Sequence, residues 1–278
     1  MPRLLACLPL AVACFAAPAL GDELIRQANS QESLMLGVSH QHAGLQAVDK
    51  AGATVVNDLS GPQIEFGYAN TRMRTWFGLS NIYTRVEVSL ALSQQDFTGD
   101  PADPSTGVVA RSSGPFDVAT ETVRGRVGYT WYLGAGQHLA LTPFLGLSEL
   151  AWVRGATTYS GTTAYYQYAT EIGMLGQATL TPKVVLGVDA GLGYAVGAWQ
   201  VDQRNLVKPS GGIMPSFALF LDNRTSSDWH QRLIVRQSFQ RYGGPEQSVG
   251  SLQPLRNSAL SVQLEFGTEG DLFEYLFR

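Results

Sequence analysis

Two histidines one residue apart, His40 and His42, are the first residues of this chain whose spacing could do chemistry. On a strand, positions i and i+2 share a face, so both imidazoles would point one way and form half of a tetrahedral metal site. No third ligand is evident, and both cysteines, Cys7 and Cys14, fall within residues 1–21. The pair also continues the apolar phase of Leu34, Leu36 and Val38, which turns the rings toward a lipid interface. No metal and no cofactor is therefore expected. The glycines Gly187, Gly191, Gly193 and Gly197 lack the spacing of a phosphate loop. They fit a strand with a bare inner face, leaving room for bulky neighbours such as arginines.

The elements that must carry such residues are strands. Ile82, Val86, Val88, Leu90 and Leu92 alternate with Tyr83, Arg85, Glu87, Ser89 and Ala91, a period of two that only a strand separates cleanly. The same alternation recurs around Val123–Trp131, Tyr166–Met174, Leu186–Tyr194 and Leu260–Phe266, and more weakly at 33–44, 61–71, 138–153, 212–222 and 229–241. This gives about ten strands, with 8–12 allowed. Long gaps at 45–60, 96–116, 198–211 and 242–256 are expected to be loops at one end, and 134–137 and 181–183 tight turns at the other. The gap at 72–80 fits that scheme less well.

Residues 1–21 read as a cleaved secretory leader: Arg3, an apolar run to Ala17, then small residues. Residues 22–278 read as one domain without cysteine, which excludes a disulfide scaffold and a thiol nucleophile. The net charge of −4 argues against nucleic acid as a partner. Charged residues are 15% of the chain, against about 25% in soluble domains. Hydropathy nonetheless averages near zero, as alternating strands require.

The fold expected is all-β: a single antiparallel up-and-down transmembrane β-barrel. Aromatics gather near the ends of the expected strands (Trp76, Phe77, Trp131, Tyr132, Trp152, Tyr165, Tyr166, Trp199, Trp229 and Tyr242), where a membrane girdle would sit. The polar face carries Arg85, Arg124, Arg126, Arg232 and Arg236 against Glu65, Glu87, Glu171, Asp189 and Glu265. In a narrow barrel these must be packed and paired, so a salt-bridged core is expected rather than an ion pathway.

On these features the chain resembles bacterial outer-membrane β-barrel proteins of the small, 8- to 12-strand class. Thr268, Gly270, Phe273 and Tyr275 look like the C-terminal signal read by the barrel-assembly machinery in that class. The chain ends in Arg278 rather than an aromatic, and the phase of Phe273 and Tyr275 differs from that of Leu260–Phe266, so a bulge intervenes or the last strand is short. Omptin proteases within the class use an acidic pair and an Asp-x-His pair at the outer rim. Asp228-Trp229-His230 matches the second, but at a turn expected on the periplasmic side, and Asp96, Asp100 and Asp103 do not have the spacing of the first. Lipid-modifying barrels use a His with a Ser or acidic partner, for which His42 with Ser39, Asp49 or Asp58 are the candidates.

The resemblance implies the bacterial outer membrane as location, and outer-membrane lipid, lipopolysaccharide and the assembly machinery as partners. A host or extracellular ligand would bind at the loops. The function expected is a non-enzymatic surface barrel, structural, adhesive or narrow-pore. The alternatives are a small solute channel and an outer-membrane hydrolase, either an omptin-like protease or a lipid A-modifying enzyme.

Overall fold

The computed structural model describes residues 23–48, 54–99, 112–134, 136–155, 163–202, 205–207, 212–226, 228–242, 255–270 and 272. The expected leader lies outside them. A short helix, α1 (Glu23–Ala28), precedes twelve strand segments. These are β1 (Glu32–Val48), β2 (Thr54–Trp76), β3 (Leu79–Gly99), β4 (Ser112–Tyr129), β5 (Trp131–Leu133), β6 (Leu139–Arg154), β7 (Thr163–Thr181), β8 (Val184–Asp202), β9 (Asn205–Val207), β10 (Ile213–Arg224), β11 (Trp229–Tyr242) and β12 (Leu255–Thr268).

Each long strand pairs antiparallel with its neighbour in sequence, and β1 pairs with β12, so the sheet closes on itself. β5 continues the line of β4 along β6, and β9 is a small flap on β8. The result is a closed antiparallel barrel of ten strands. Through the middle of the barrel each long strand is paired on both sides, a requirement in a medium that offers no hydrogen bonds.

The β2–β3, β5–β6, β7–β8 and β10–β11 turns all lie at the end that carries α1. The 72–80 stretch, poorly accounted for by the sequence pattern, is a two-residue turn: β2 runs to Trp76, and Phe77 and Gly78 both take positive φ (50° and 78°). That is the backbone twist a tight hairpin favours. At the opposite end the strands outrun expectation. The expected gaps at 45–60, 96–116 and 198–211 are partly strand, because β2 begins at Thr54, β3 continues to Gly99, β4 begins at Ser112 and β8 reaches Asp202.

Polarity inverts along these long strands. In the middle of β3 the outward side chains are Val86, Val88, Leu90 and Leu92, all exposed, while Arg85 and Glu87 are buried inside. Further along, Gln94, Asp96 and Thr98 face out and Gln95 and Phe97 are buried inside. The middle zone continues around the barrel through Leu36, Phe66, Leu145, Leu147, Ile172, Leu192, Leu219, Val235 and Val262, an apolar girdle that a water-soluble monomer does not carry. It is stable only against hydrocarbon, so this zone spans a bilayer. Above it the barrel is built like a soluble protein. Leu59, Phe97, Val118, Leu150, Trp152 and Tyr165 form an apolar cluster inside, with polar residues outside.

That cluster corrects part of the expected aromatic girdle. Trp152 is fully buried and stacks edge-on to Tyr165 at 5.5 Å between ring centroids, so both belong to the interior. Tyr132 packs beside the α1 cluster. Trp76 and Phe77 are exposed at the short-turn end, and Tyr129 lies edge-on to Trp131 there.

Candidate functional site: the barrel lumen

Inward-facing residues fill the barrel in layers. Beneath the outer apolar cluster, Gln63 and Gln95 both donate to Gln41 Oε1, at 2.7 and 2.6 Å, and Ser39 donates to Gln63. Next comes the charged layer. Arg85 donates to Glu87 (3.0 Å) and to Glu265; Arg236 donates to the other oxygen of Glu87 (2.8 Å). Arg126 grips Glu171 through Nε (3.1 Å) and Nη2 (2.8 Å) and reaches Asp189 with Nη1. Arg232 binds Asp222 at 2.9 Å and Glu265 at 3.3 Å. Glu65 accepts from Gln263. All ten charges singled out on the polar face, five arginines and five acids, therefore face the interior. Arg124 is the least engaged, with Glu171 at 3.8 Å.

These pairs are chords. β3 and β12 are separated in the wall by β1 and β2, and β4 and β8 by β6 and β7, so Arg85–Glu265 and Arg126–Asp189 cross the lumen. Below them lies a second apolar layer of Met73, Tyr83, Phe144, Leu175, Phe220 and Ile234. Arg126 sits over the Phe144 ring at 4.3 Å and Arg232 over Phe220 at 4.7 Å, so the two layers interlock through cation–π contacts.

The glycine-lined face of β8 makes room for this packing, but not for arginines as the sequence suggested. A Cβ at Gly187 would stand 1.9 Å from Phe220 Cζ, and one at Gly191 would stand 2.4 Å from Glu171 Oε1. The side chains that occupy the space are a phenyl ring and a carboxylate.

The short-turn mouth is closed by α1, which the sequence pattern did not reveal. Ile25 and Ala28 are fully buried against Ala140 and Val185. Asn29 and Gln177 exchange amide hydrogen bonds at 2.7 and 3.2 Å, Arg26 donates to Asn81, and Arg232 donates to the Ala28 carbonyl. Gln31 bonds Asp222, which also accepts from His230 Nδ1 (2.6 Å) and Arg232. Asp222 sits on the same inward phase of β10 as Ala218 and Phe220, so strand alternation was the signal that could have identified it.

The candidates for hydrolysis are dispersed. His230 is buried against Asp222 and lies 3.5 Å from Glu269, whereas Asp228 is exposed at the β10–β11 turn, so the Asp-x-His residues do not form a water-activating pair. Asp96 faces outward; Asp100 and Asp103 lie outside the described residues. His40 and His42 are exposed on the outer face of β1, Ser39 points inward to Gln63, Asp58 is exposed, and Asp49 lies outside the described residues. Among the described residues no group of three or more His, Cys, Asp or Glu is placed to hold a metal.

At the C-terminus β12 ends at Thr268, which is buried, so the last strand stops before the phase change. Leu272 is buried and its amide donates to Glu32. Gly270 is exposed and its amide donates to Thr268 Oγ1; Phe273 and Tyr275 lie outside the described residues.

No protein-family model and no curated protein matches the chain. Solved outer-membrane β-barrels align along most of it. The translocator domain of the autotransporter NalP from Neisseria meningitidis is 12% identical, covering 94% of each chain, with a TM-score of 0.38. OprG from Pseudomonas aeruginosa is 9% identical over 86% of this chain and 96% of its own, with a TM-score of 0.33. The Pseudomonas putida toluene transporter TodX is 8% identical over 93% of each, with a TM-score of 0.30. The likeness is one of barrel architecture, and the fold described above rests on strand pairing within this chain.

Proposed function

We propose that the protein is a bacterial outer-membrane barrel with a closed lumen, acting as a non-enzymatic scaffold that presents its outer loops at the cell surface. The observation that carries this reading is the set of ion pairs spanning the lumen, Arg85–Glu265, Arg236–Glu87 and Arg126–Asp189, in a barrel too narrow to hold both them and a solute path. The polarity-inverted zone above the girdle fits the same role: a packed, water-compatible rim lifts the loops clear of the membrane. In this reading the termini and short turns face the periplasm. A cleaved leader would deliver the chain, the Thr268–Tyr275 segment would engage the assembly machinery, and lipopolysaccharide would surround the outer half of the girdle. In planar bilayers the purified barrel should give no steady conductance, and an extracellular ligand should bind the intact protein but not a form with residues 100–111 and 243–254 shortened. Steady conductance in the intact protein would sink the closed-lumen reading.

A second reading, a narrow gated channel, is favoured by one observation. α1 is not part of the wall; it is held in the mouth by side-chain hydrogen bonds and a small apolar contact. If it is a gate, deleting residues 23–28 should produce discrete conductance steps. A silent deleted form that still folds would exclude it.

A further inference from the structure

An interior space among the described residues is left unfilled. On the side of β4, β6, β7, β8, β10 and β11 a cavity of about 50 Å³ lies within the charged layer, bounded by Arg124 and Glu171, by the polar side chains of Thr122, Ser148, Gln167, Ser216, Ser238 and Gln240, and by apolar groups of which Leu150 and Met214 are the largest on the inward phase. A buried water needs roughly 10–15 Å³ of such space, so there is room for a few water-sized groups.

Within the charged layer, and among the described residues, Arg124 is the guanidinium that its neighbours satisfy least. Its nearest carboxylate, Glu171, is beyond hydrogen-bond distance at 3.8 Å. Both oxygens of that carboxylate are already taken by Arg126, and Oε1 also accepts from Ser216 at 3.4 Å. Arg124 Nε is buried with no hydrogen-bond partner among the described residues. The other four arginines of the layer each donate to at least one carboxylate. Water could accept from Arg124 but would bring no charge, and a buried cation is stabilised by an opposite charge as well as by hydrogen bonds. The surrounding hydroxyls and primary amides are donors that a small anion can also use.

We propose that this cavity is a binding site for a small monovalent inorganic anion, of chloride or bromide size, held by the Arg124 guanidinium and the polar side chains around it. The site neither requires nor implies conduction, so it stands independently of the scaffold reading.

The test uses the full chain in detergent with bromide as the probe. Crystals soaked in sodium bromide should show an anomalous peak within hydrogen-bond distance of the Arg124 guanidinium. In solution, the thermal unfolding midpoint should rise with bromide concentration relative to equal sodium gluconate, an anion too large for the cavity. Arg124→Gln should abolish both effects. Ser238→Leu, which fills the cavity and leaves Arg124 in place, should do the same and serves if Arg124→Gln fails to fold. Absence of the peak in the unsubstituted protein, with water alone in the cavity, overturns the proposal. So does a bromide-dependent midpoint that either variant retains.

Discussion

Arg85 and Glu265 stand 180 positions apart in the chain, yet meet inside the barrel, where the guanidinium of β3 donates to a carboxylate of β12 that is fully buried. The same carboxylate accepts from Arg232, so one acid holds two bases from opposite parts of the wall.

Loss of that acid should therefore be costly. Glu265→Ala leaves two interior guanidiniums short of a partner, and removing one member of a buried pair typically costs about 3–5 kcal/mol. The expected result is a lower urea midpoint for the folded, fast-migrating form on unboiled gels. A midpoint within error of the unsubstituted protein would show that the network contributes nothing to stability.

The contact between Gly187 and Phe220 gives a second prediction. Gly187→Ala forces the ring of Phe220 to move within a packed layer, and overpacking of this kind costs about 1–3 kcal/mol. The paired change Gly187→Ala with Phe220→Leu should recover part of that loss in the same unfolding assay. Additive losses would mean that the two positions do not interact.

The girdle and the rim should respond oppositely to charge. Val88→Arg on the outer face of β3 places a cation against hydrocarbon, at a cost of about 2–4 kcal/mol near the bilayer midplane. Thr98→Arg, ten positions further along the same face, lies above the girdle and should be close to neutral. Refolding yield into lipid vesicles reads both. Equal penalties would place both positions in the same medium.

The plug should be separable from the wall. Ile25 is fully buried, so Ile25→Glu should expel α1 while the strand ladder, which α1 does not join, stays intact. Trypsin should then cut at Arg26 in the variant and spare it in the unsubstituted protein, with the heat-dependent gel shift retained in both. Loss of the shift would mean that the helix is needed for the barrel itself.

The sequence by itself determined the wall. Strand alternation is a local property, so the parity of Val86, Val88 and Leu90 against Arg85 and Glu87 assigns each side chain to a face without knowing its neighbours. The same parity would have placed Trp152 and Tyr165 inside, but their position near strand ends suggested a girdle; only the tertiary structure shows that the barrel rises beyond the membrane and turns apolar within. Which arginine meets which acid was likewise decided by closure and register, because chords across a lumen join strands far apart in the chain. α1 was illegible for a different reason: six residues carry too little periodicity to register as an element. What fixes them is a polar mouth that exists only once ten strands have closed around it.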